Sequence, residues 1–433
     1  MLTPIFSKLE KLLPAKWRWV LSHEGFKRYL ANTGWMFAGQ MFSLLVAFFV
    51  GAWIARYLGP ENYGVLSYAV AFVGIFGFIA TLGVDAILSR ELIRFPEKRE
   101  TLLGTGFRLK LIGGAIAFLL SIAGALIFET SPLIRLLIAL FSLAFILQSA
   151  NIISLYFQAE VKSKNNVKAL IVATIISSLL KIGVILLNKG VIWLMVVYVL
   201  DSLWQGIGFW LAYKRHGLHT KDWRFDKKLA REILKDSWPL MLASGAGFIY
   251  LKIDQVMIGA FLSTRAVGLY AAAVKLVEVW YFIPVILCTS LYPAIINAKK
   301  ISLELYHRRL KNFYVLMGLI PLIIALPLAL LARPLILFLF GVNYLGSIGV
   351  LQIYIWSSLG LFLGWAVNQY LTSENLVKTI FWLNFLAMVI NVALNFYLIP
   401  RYGIIGAAWA TLISYLAVPA AVWLGGEKWR RVG

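Results

Sequence analysis

The sequence contains few of the residue types on which cross-linking, metal binding and catalysis depend. Of its 433 residues, one is cysteine and four are histidine, and 19 acidic residues stand against 41 lysines and arginines. A single cysteine, Cys288, excludes a disulfide within the chain. The histidines (His23, His216, His219 and His307) show no repeated ligand spacing, so we predict no metal site. The phosphate-binding pattern Gly-x-x-x-x-Gly-Lys-Ser/Thr does not occur, and we predict neither ATP hydrolysis nor a bound cofactor.

Charge is scarce and long apolar runs are abundant. Hydrophobic residues make up 61% of the chain and charged residues 14%, whereas a soluble domain holds about 45–50% and about 25%. A helix needs about 20 apolar residues to cross a bilayer, and only helices satisfy their backbone within one apolar segment. We therefore predict an all-α integral membrane protein with about twelve transmembrane helices. The predicted spans are 34–56, 65–88, 105–128, 133–157, 167–188, 191–213, 238–263, 267–297, 312–332, 347–371, 379–399 and 403–425.

The basic residues concentrate in alternate connections. With the amino terminus inside, the inner segments hold thirty lysines and arginines and the outer connections hold six. This bias predicts that both termini are cytoplasmic and that the chain lies in the cytoplasmic (inner) membrane. Because orientation explains most of the net charge of +22, a nucleic-acid partner is not predicted.

The chain shows signs of an internal duplication. The segment from Gly64 to Val70 resembles the segment from Gly268 to Val274, and two further matches follow in order at offsets of 210 and 213. Two homologous halves of six helices each account for this pattern. We predict an N-lobe at 30–213, a basic cytoplasmic linker at 214–236, a C-lobe at 237–425 and a cytoplasmic tail at 426–433. Residues 1–29 form a basic leader, predicted as either an interfacial helix or a mobile tail.

One motif resembles a known family. Arg56-Tyr57-Leu58-Gly59-Pro60-Glu61-Asn62-Tyr63-Gly64 is similar to the Arg-x-Leu-Gly-Pro-x-x-Tyr/Phe-Gly signature of polysaccharide-type flippases. The runs Leu82–Asp85 and Lys252–Gly259 resemble the same proteins, the O-antigen and teichuronic-acid exporters of the multidrug/oligosaccharidyl-lipid/polysaccharide superfamily. The resemblance implies two lobes in a V that open alternately to either side. It also implies a lipid-linked oligosaccharide as cargo, moved from the inner to the outer leaflet for glycan assembly, with membrane lipid and glycan-assembly proteins as further partners.

Two other functions remain open. An ion-coupled multidrug exporter of the same superfamily is the closer one, although three deep lysines disfavour cationic drugs. A membrane-embedded sugar polymerase or ligase is the enzyme alternative. Such enzymes use a long outer loop, whereas every outer connection predicted here is under about fifteen residues. We therefore predict that the chain is not an enzyme.

Six charges lie deep within predicted spans. A charge at the bilayer centre costs at least about 2.5–3.5 kcal/mol, so such residues face a partner or a wet cavity. Lysines are candidates for binding the phosphates of the cargo, and carboxylates are candidates for coupling transport to H⁺ or Na⁺. Transport driven by the membrane potential is the alternative. The deep cations are Lys181, Lys252 and Lys275, and the deep anions are Asp201, Asp254 and Glu278.

Depth and helical spacing predict how these charges pair. Asp254 and Lys275 lie level if the seventh and eighth helices turn midway between them, whereas Lys252 and Asp254 point in nearly opposite directions. We therefore predict an Asp254–Lys275 pair, either structural or functional, with Lys252 free to face the cavity. Mapped through the offset of 204, the cluster Lys252, Asp254, Lys275 and Glu278 has no charged counterpart in the first half.

Other polar residues complete the set of candidates. Lys181 is predicted to reach Asp201, as a structural pair or as part of the site. Asn391 belongs to a polar stripe with Asn384 and Asn395, for which interhelical hydrogen bonding and sugar contact are the alternatives. Arg56, within the signature motif, is a further candidate for contacting the cargo.

Overall fold

The computed structural model describes residues 24–374 and 376–425, and in these ranges every element of regular structure is helical. The helices are α1 (Glu24–Ile75), α2 (Gly77–Thr81), α3 (Val84–Arg94), α4 (Arg99–Phe128), α5 (Pro132–Leu147), α6 (Ile152–Ala159), α7 (Lys164–Leu186), α8 (Val191–Arg215), α9 (Lys227–Phe261), α10 (Thr264–Glu278), α11 (Phe282–Lys299), α12 (Leu303–Leu330), α13 (Ala332–Leu339), α14 (Ser347–Tyr354), α15 (Ser357–Ser373) and α16 (Val377–Gly425).

Ten helical segments among these residues are long and apolar enough to cross a membrane. The first and the last are much longer than one span because each contains a glycine with non-helical backbone angles, Gly59 (φ 68°) in α1 and Gly403 (φ 61°) in α16. A positive φ suits glycine because it has no Cβ. Division at these two glycines yields twelve segments, which confirms the all-α membrane fold with about twelve spans.

The chain reverses direction at Gly59. Before the break, Gly51 lies against Lys275 of α10, and after it Gly64 lies against Thr264 at the beginning of the same helix. Farther on, Gly74 contacts Lys252 and Gly83 contacts Met241, so the second part of α1 and the following α2 and α3 run antiparallel to α9. The Gly-Pro step of the signature motif therefore forms a tight turn between the first two spans.

The structure departs from the predicted boundaries in three places. The second span is broken, because Leu82 and Gly83 take left-handed backbone angles between α2 and α3. Beyond the ninth predicted span, which ends at 332, the chain forms a separate short helix, α13, after Leu331. The predicted tail at 426–433 and most of the predicted leader at 1–29 lie outside the described residues, and α1 already begins at Glu24.

The seventh span also begins earlier than predicted. Asp226 caps α9 by accepting hydrogen bonds from the main-chain nitrogens of Lys228 and Leu229 at 2.8 and 3.1 Å. The first turns of α9 then bury Ala230 and Ile233 in a core with residues of α3, α4, α6 and α8. Much of the segment predicted as a linker is therefore helix packed on the first half.

A larger core joins the two halves. It combines buried residues of α1, α5 and α8 with buried residues of α9, α10, α13, α14 and α16. At the end of the molecule where α10 begins, the Tyr344 hydroxyl donates to the main-chain oxygen of Ala55 at 2.6 Å. The halves are thus closed on each other where α10 begins, and polar cavities lie between them deeper in the bundle.

Candidate functional site

Two adjoining cavities lie between the halves. The larger, of about 480 Å³, is enclosed by α1, α7, α8 and α10. The smaller, of about 180 Å³, lies between the second part of α1 and helices α9 and α10. Tyr198, Lys275 and Glu278 line both. We call the two together the central cavity.

Lys181 and Asp201 meet in the larger part of the central cavity, as predicted. The Lys181 ammonium lies 2.7 Å from an Asp201 carboxylate oxygen and 4.2 Å from the centre of the Tyr198 ring. The Ser177 hydroxyl donates to the same carboxylate. The pair therefore has its hydrogen bonds satisfied by neighbours on α7 and α8, which lowers the cost of holding both charges in the membrane.

Lys252 is paired, contrary to the prediction that it is free. Its ammonium lies 3.3 Å from Glu278, and the two side chains are 29% and 35% exposed. Both residues line the smaller part of the central cavity. Lys252 thus faces the cavity as predicted, but its charge is neutralised there by a carboxylate.

Lys275 is the cavity lysine that lacks a carboxylate partner. Among the residues that the structure describes, no carboxylate forms an ion pair with it. Its stem is accommodated by Gly51, where an added Cβ would lie 1.7 Å from the Lys275 ammonium nitrogen. A side chain at position 51 would therefore displace the flexible end of Lys275, so the glycine leaves room for the ammonium at this place.

The predicted Asp254–Lys275 pair is wrong. Asp254 is 4% exposed and points toward α16, where its carboxylate accepts hydrogen bonds from Asn395 at 2.6 Å and from the Thr411 hydroxyl. The Tyr270 hydroxyl of α10 donates to it at 2.8 Å. The packing of α9 therefore gives Asp254 partners on α16 and at Tyr270, and not at Lys275.

Two further candidates do not line the central cavity. Asn391 is fully buried, donates to Ser414 at 3.2 Å and accepts from Asn395 at 3.0 Å, so it joins α16 on both sides of Gly403. This agrees with interhelical hydrogen bonding rather than sugar contact. Arg56 is exposed at the closed end and reaches the main-chain oxygen of Phe338 at 3.5 Å. Its place at the end of the first span keeps it away from the cavity.

The sequence also predicts that Gln205 shares the face of Asp201 at i+4, but it did not single out the other residues that surround the charges. Thr174 and Ser177 share a face of α7 with Lys181, and Tyr198 shares a face of α8 with Asp201. Ser43 of α1 contacts Thr174 at 3.2 Å between their hydroxyl oxygens. Helical spacing around each deep charge was the signal that could have found them.

The charge of the central cavity comes from both halves, with Lys181 and Asp201 on the first and Lys252, Lys275 and Glu278 on the second. Positions of the first half related to the second-half charges by the offset of 204 form apolar walls instead. Phe48 and Val50 line the larger part, and Ala71 lines the smaller part. Gly74, the counterpart of Glu278, contacts the stem of Lys252. The positions of the first half that correspond to the charged residues of the second half are therefore uncharged.

Comparisons with solved structures identify the fold. An inward-facing multidrug resistance MATE family transporter of the MOP superfamily superposes with a TM-score of 0.72 at 15% identity, over 89% of this chain and 94% of that one. The lipid II flippase MurJ in an inward closed conformation gives 0.68 at 16% identity, over 90% and 86%. A MOP superfamily transporter from Pyrococcus furiosus, described as having a binding pocket of reverse polarity, gives 0.54 at 15% identity, over 93% and 94%.

Comparisons of sequence identify the family. None of the curated proteins matches the chain. A family model described as polysaccharide biosynthesis protein matches residues 29–299, which is more than half of the chain. This match confirms the resemblance found in the signature motif. The chain belongs to the polysaccharide biosynthesis protein family, and it is a multi-pass membrane protein with the two-lobed fold of MOP-superfamily transporters.

Proposed function

We propose that the chain is a flippase that carries a lipid-linked oligosaccharide with a polyprenyl pyrophosphate head from the inner to the outer leaflet of the cytoplasmic membrane. The observation that carries the proposal is the unpaired Lys275 ammonium in the central cavity. An isolated ammonium deep in a bilayer is costly, and a bound anion offsets that cost. A pyrophosphate supplies such an anion.

The cargo needs a polar path between the halves. A sugar pyrophosphate cannot cross about 30 Å of hydrocarbon unaided. The larger part of the central cavity, at about 480 Å³, is within the usual range of about 300–1,000 Å³ for ligand sites. Ser43, Thr174 and Gln205 offer hydrogen bonds to sugar hydroxyls, and Tyr198 offers a ring for stacking. The lipid tail stays in the bilayer while the head passes.

The two predicted lobes, 30–213 and 237–425, act as the moving parts in this proposal. Their contact at one end is made by main chain, small residues and aromatic side chains such as Tyr63 and Tyr344, and no ion pair of the described residues crosses it. The positive-inside bias places this closed end on the outer side of the membrane. Rocking of the lobes about the central cavity then exposes the head group to either leaflet in turn.

We propose Asp254 as the residue that couples transport to H⁺ or Na⁺. No lysine or arginine of the described chain pairs with this buried carboxylate. The Asn395 side-chain oxygen beside it is buried without a hydrogen-bond partner. A carboxylate next to an unsatisfied acceptor is favourable for a proton or a small cation. Glu278 and Asp201, the other coupling candidates, each form an ion pair with a lysine.

The test is a flipping assay in proteoliposomes with a fluorescent polyprenyl-pyrophosphate sugar, in which dithionite quenches only the outer-leaflet probe. We expect protein-dependent flipping, and faster flipping under an imposed H⁺ or Na⁺ gradient. Absence of flipping across several such lipids would contradict the proposal. Transport of a cationic dye without flipping would favour the multidrug exporter instead.

A further inference from the structure

A second cavity lies on the first half and the segment after it, beside exposed apolar residues such as Leu111 and Ile207. It has a volume of about 680 Å³ and is lined by residues of α4, α5, α6 and α8 and by the segment 220–226 that follows α8. None of its lining residues lines the central cavity. We call it the lateral cavity.

The segment 220–226 forms the inner wall of the lateral cavity and is attached to α4 by main-chain contacts. The nitrogen of Arg224 donates to the Glu100 oxygen at 3.3 Å, and the nitrogen of Asp226 donates to the Thr105 hydroxyl at 3.1 Å. At Gly104 an added Cβ would lie 2.4 Å from the main-chain oxygen of Arg224. Segment 220–226 is therefore packed and hydrogen-bonded against α4.

Two aromatic contacts complete this wall. The Trp223 ring lies 5.5 Å from the ring of Phe107, and its indole nitrogen donates to the Tyr213 hydroxyl at 3.2 Å. Both Trp223 and Phe107 line the lateral cavity. The position of Arg224, next to Trp223, is thereby set by packing on α4 and α8.

The charged residues that line the lateral cavity are Arg108 and Arg224, and among the described residues no carboxylate lines it. The nearby Glu100 carboxylate lies outside the lining, where it pairs with Arg99. Within the described ranges neither arginine forms an ion pair, and the Arg108 guanidinium lies 4.9 Å from the centre of the Phe225 ring. Guanidinium groups bind phosphate through paired N–H donors. The rest of the lining is mostly apolar, with the exposed Trp210 at its edge.

The depth of Arg108 fits a lipid phosphate. Helix α4 ends at Phe128, and about 20 residues are needed to cross the hydrocarbon. Counting back from Phe128 places the opposite hydrocarbon boundary near Arg108. Tryptophan and arginine are typical of this boundary, and basic pockets there bind anionic head groups.

We propose that the lateral cavity binds an anionic glycerophospholipid of the surrounding bilayer. Its phosphate lies between Arg108 and Arg224, and an acyl chain lies along Leu111, Leu203 and Ile207. This site is separate from the path of the transported cargo. Its occupant stabilises the first half by joining segment 220–226 to α4 and α8, and through segment 220–226 it also supports the beginning of α9.

The second half contains a cavity that serves as an internal comparison. It has a volume of about 520 Å³ and is lined at the corresponding place by Trp423, which follows Trp210 at the offset of 213. Here Lys299 lies 2.8 Å from Glu374, so its cation is neutralised by a residue of the same lining. Anionic lipid is therefore expected in the lateral cavity and not in this one.

The experiment measures the thermal stability of the full chain in detergent while phosphatidylglycerol or phosphatidylcholine is added, with native mass spectrometry of the same samples. We expect a saturable rise of several degrees with phosphatidylglycerol and a bound stoichiometry of one. The double variant Arg108→Gln/Arg224→Gln is expected to bind at least fivefold more weakly. Arg231→Gln, an exposed arginine of α9 that does not line the cavity, is the matched control and is expected to bind normally.

A further variant and a further ligand complete the experiment. Leu111→Trp fills the acyl part with both arginines intact and is expected to weaken binding even if the double variant does not fold. Equal stabilisation by phosphatidylcholine, or unchanged binding in both variants, would overturn the proposal. The same rise with inorganic phosphate alone would also overturn it, because that result assigns the cavity to a free anion.

Discussion

Gly64 and Gly268 lie backbone to backbone where the two halves meet. A Cβ on Gly64 would lie 1.7 Å from the main-chain oxygen of Thr264, and a Cβ on Gly268 would lie 1.8 Å from that of Pro60. The two glycines are matched by the internal offset of 204, so this close backbone contact between the halves joins equivalent positions. Small residues allow helices in membranes to pack this closely. The closed end therefore depends on the lack of two side chains.

The first prediction concerns this contact between Gly64 and Gly268. Gly268→Ala is expected to weaken the closed end by on the order of 1–3 kcal/mol, because main-chain atoms cannot move aside as a side chain can. Spin labels at Lys189→Cys and Arg333→Cys, in a Cys288→Ser background, measure the separation of the halves at that end. The labelled distance is expected to shift toward longer values.

Gly318→Ala is the matched control for that variant. Gly318 is also within a helix, and an added Cβ there meets nothing within 4 Å. Both substitutions gain the same helix propensity, so only the steric effect differs. An unchanged distance distribution in Gly268→Ala would show that the contact between Gly64 and Gly268 does not hold the two halves closed.

Apolar length predicts where a helix spans the membrane, whereas the packing of helices on one another determines which way each side chain points. Spans and the Lys181–Asp201 pair follow from apolar length and from residues on neighbouring helices, and both were predictable. Asp254, by contrast, was given the wrong partner. Its partners Asn395 and Thr411 lie on α16, more than 130 residues away in sequence, and the packing of α9 on α16 sets which way its side chain points.

The second prediction separates the charge of Lys275 from its position. Lys275→Gln removes the ammonium, and Gly51→Ala keeps it but displaces it, since the new Cβ would lie 1.7 Å from the ammonium nitrogen. Both are expected to reduce binding of a polyprenyl-pyrophosphate sugar at least tenfold, measured by titration in detergent. Lys189→Gln, in an exposed connection, is the control and is expected to bind normally. Normal binding by Lys275→Gln would remove Lys275 from the site.

The third prediction distinguishes a structural from a functional role for Lys181 and Asp201. Removing one partner leaves the other charged and buried, so Lys181→Ala is expected to destabilise the fold by about 3–5 kcal/mol. The exchanged pair Lys181→Asp/Asp201→Lys is expected to recover most of this stability. Lys162→Ala, which removes an exposed pair with Glu160 at 3.1 Å, is the control and is expected to cost about 0–1 kcal/mol.

Flipping by the exchanged pair then decides its role. If the pair only holds α7 against α8, recovered stability brings recovered flipping. If Lys181 contacts the cargo, the exchanged protein folds but flips poorly, because an acid then stands where the ammonium lies over Tyr198. We expect the second result, since Lys181 and Asp201 both line the larger part of the central cavity.

The fourth prediction concerns coupling. Asp254→Asn has nearly the same shape and can still accept from Tyr270 and Thr411 through its side-chain oxygen, but it cannot carry a negative charge. Flipping without a gradient is expected to change less than threefold, whereas the acceleration by an imposed H⁺ or Na⁺ gradient is expected to disappear. Two proteoliposome preparations, with and without the gradient, provide the ratio of rates that reports coupling.

Ser244→Ala is the control and is expected to keep the wild-type ratio. Ser244 lies on the same helix, and its hydroxyl donates to the main-chain oxygen of Met241 at 2.9 Å. An unchanged ratio in Asp254→Asn would transfer the coupling role to Glu278 or Asp201, and equal loss of both rates would make Asp254 a residue of the fold alone.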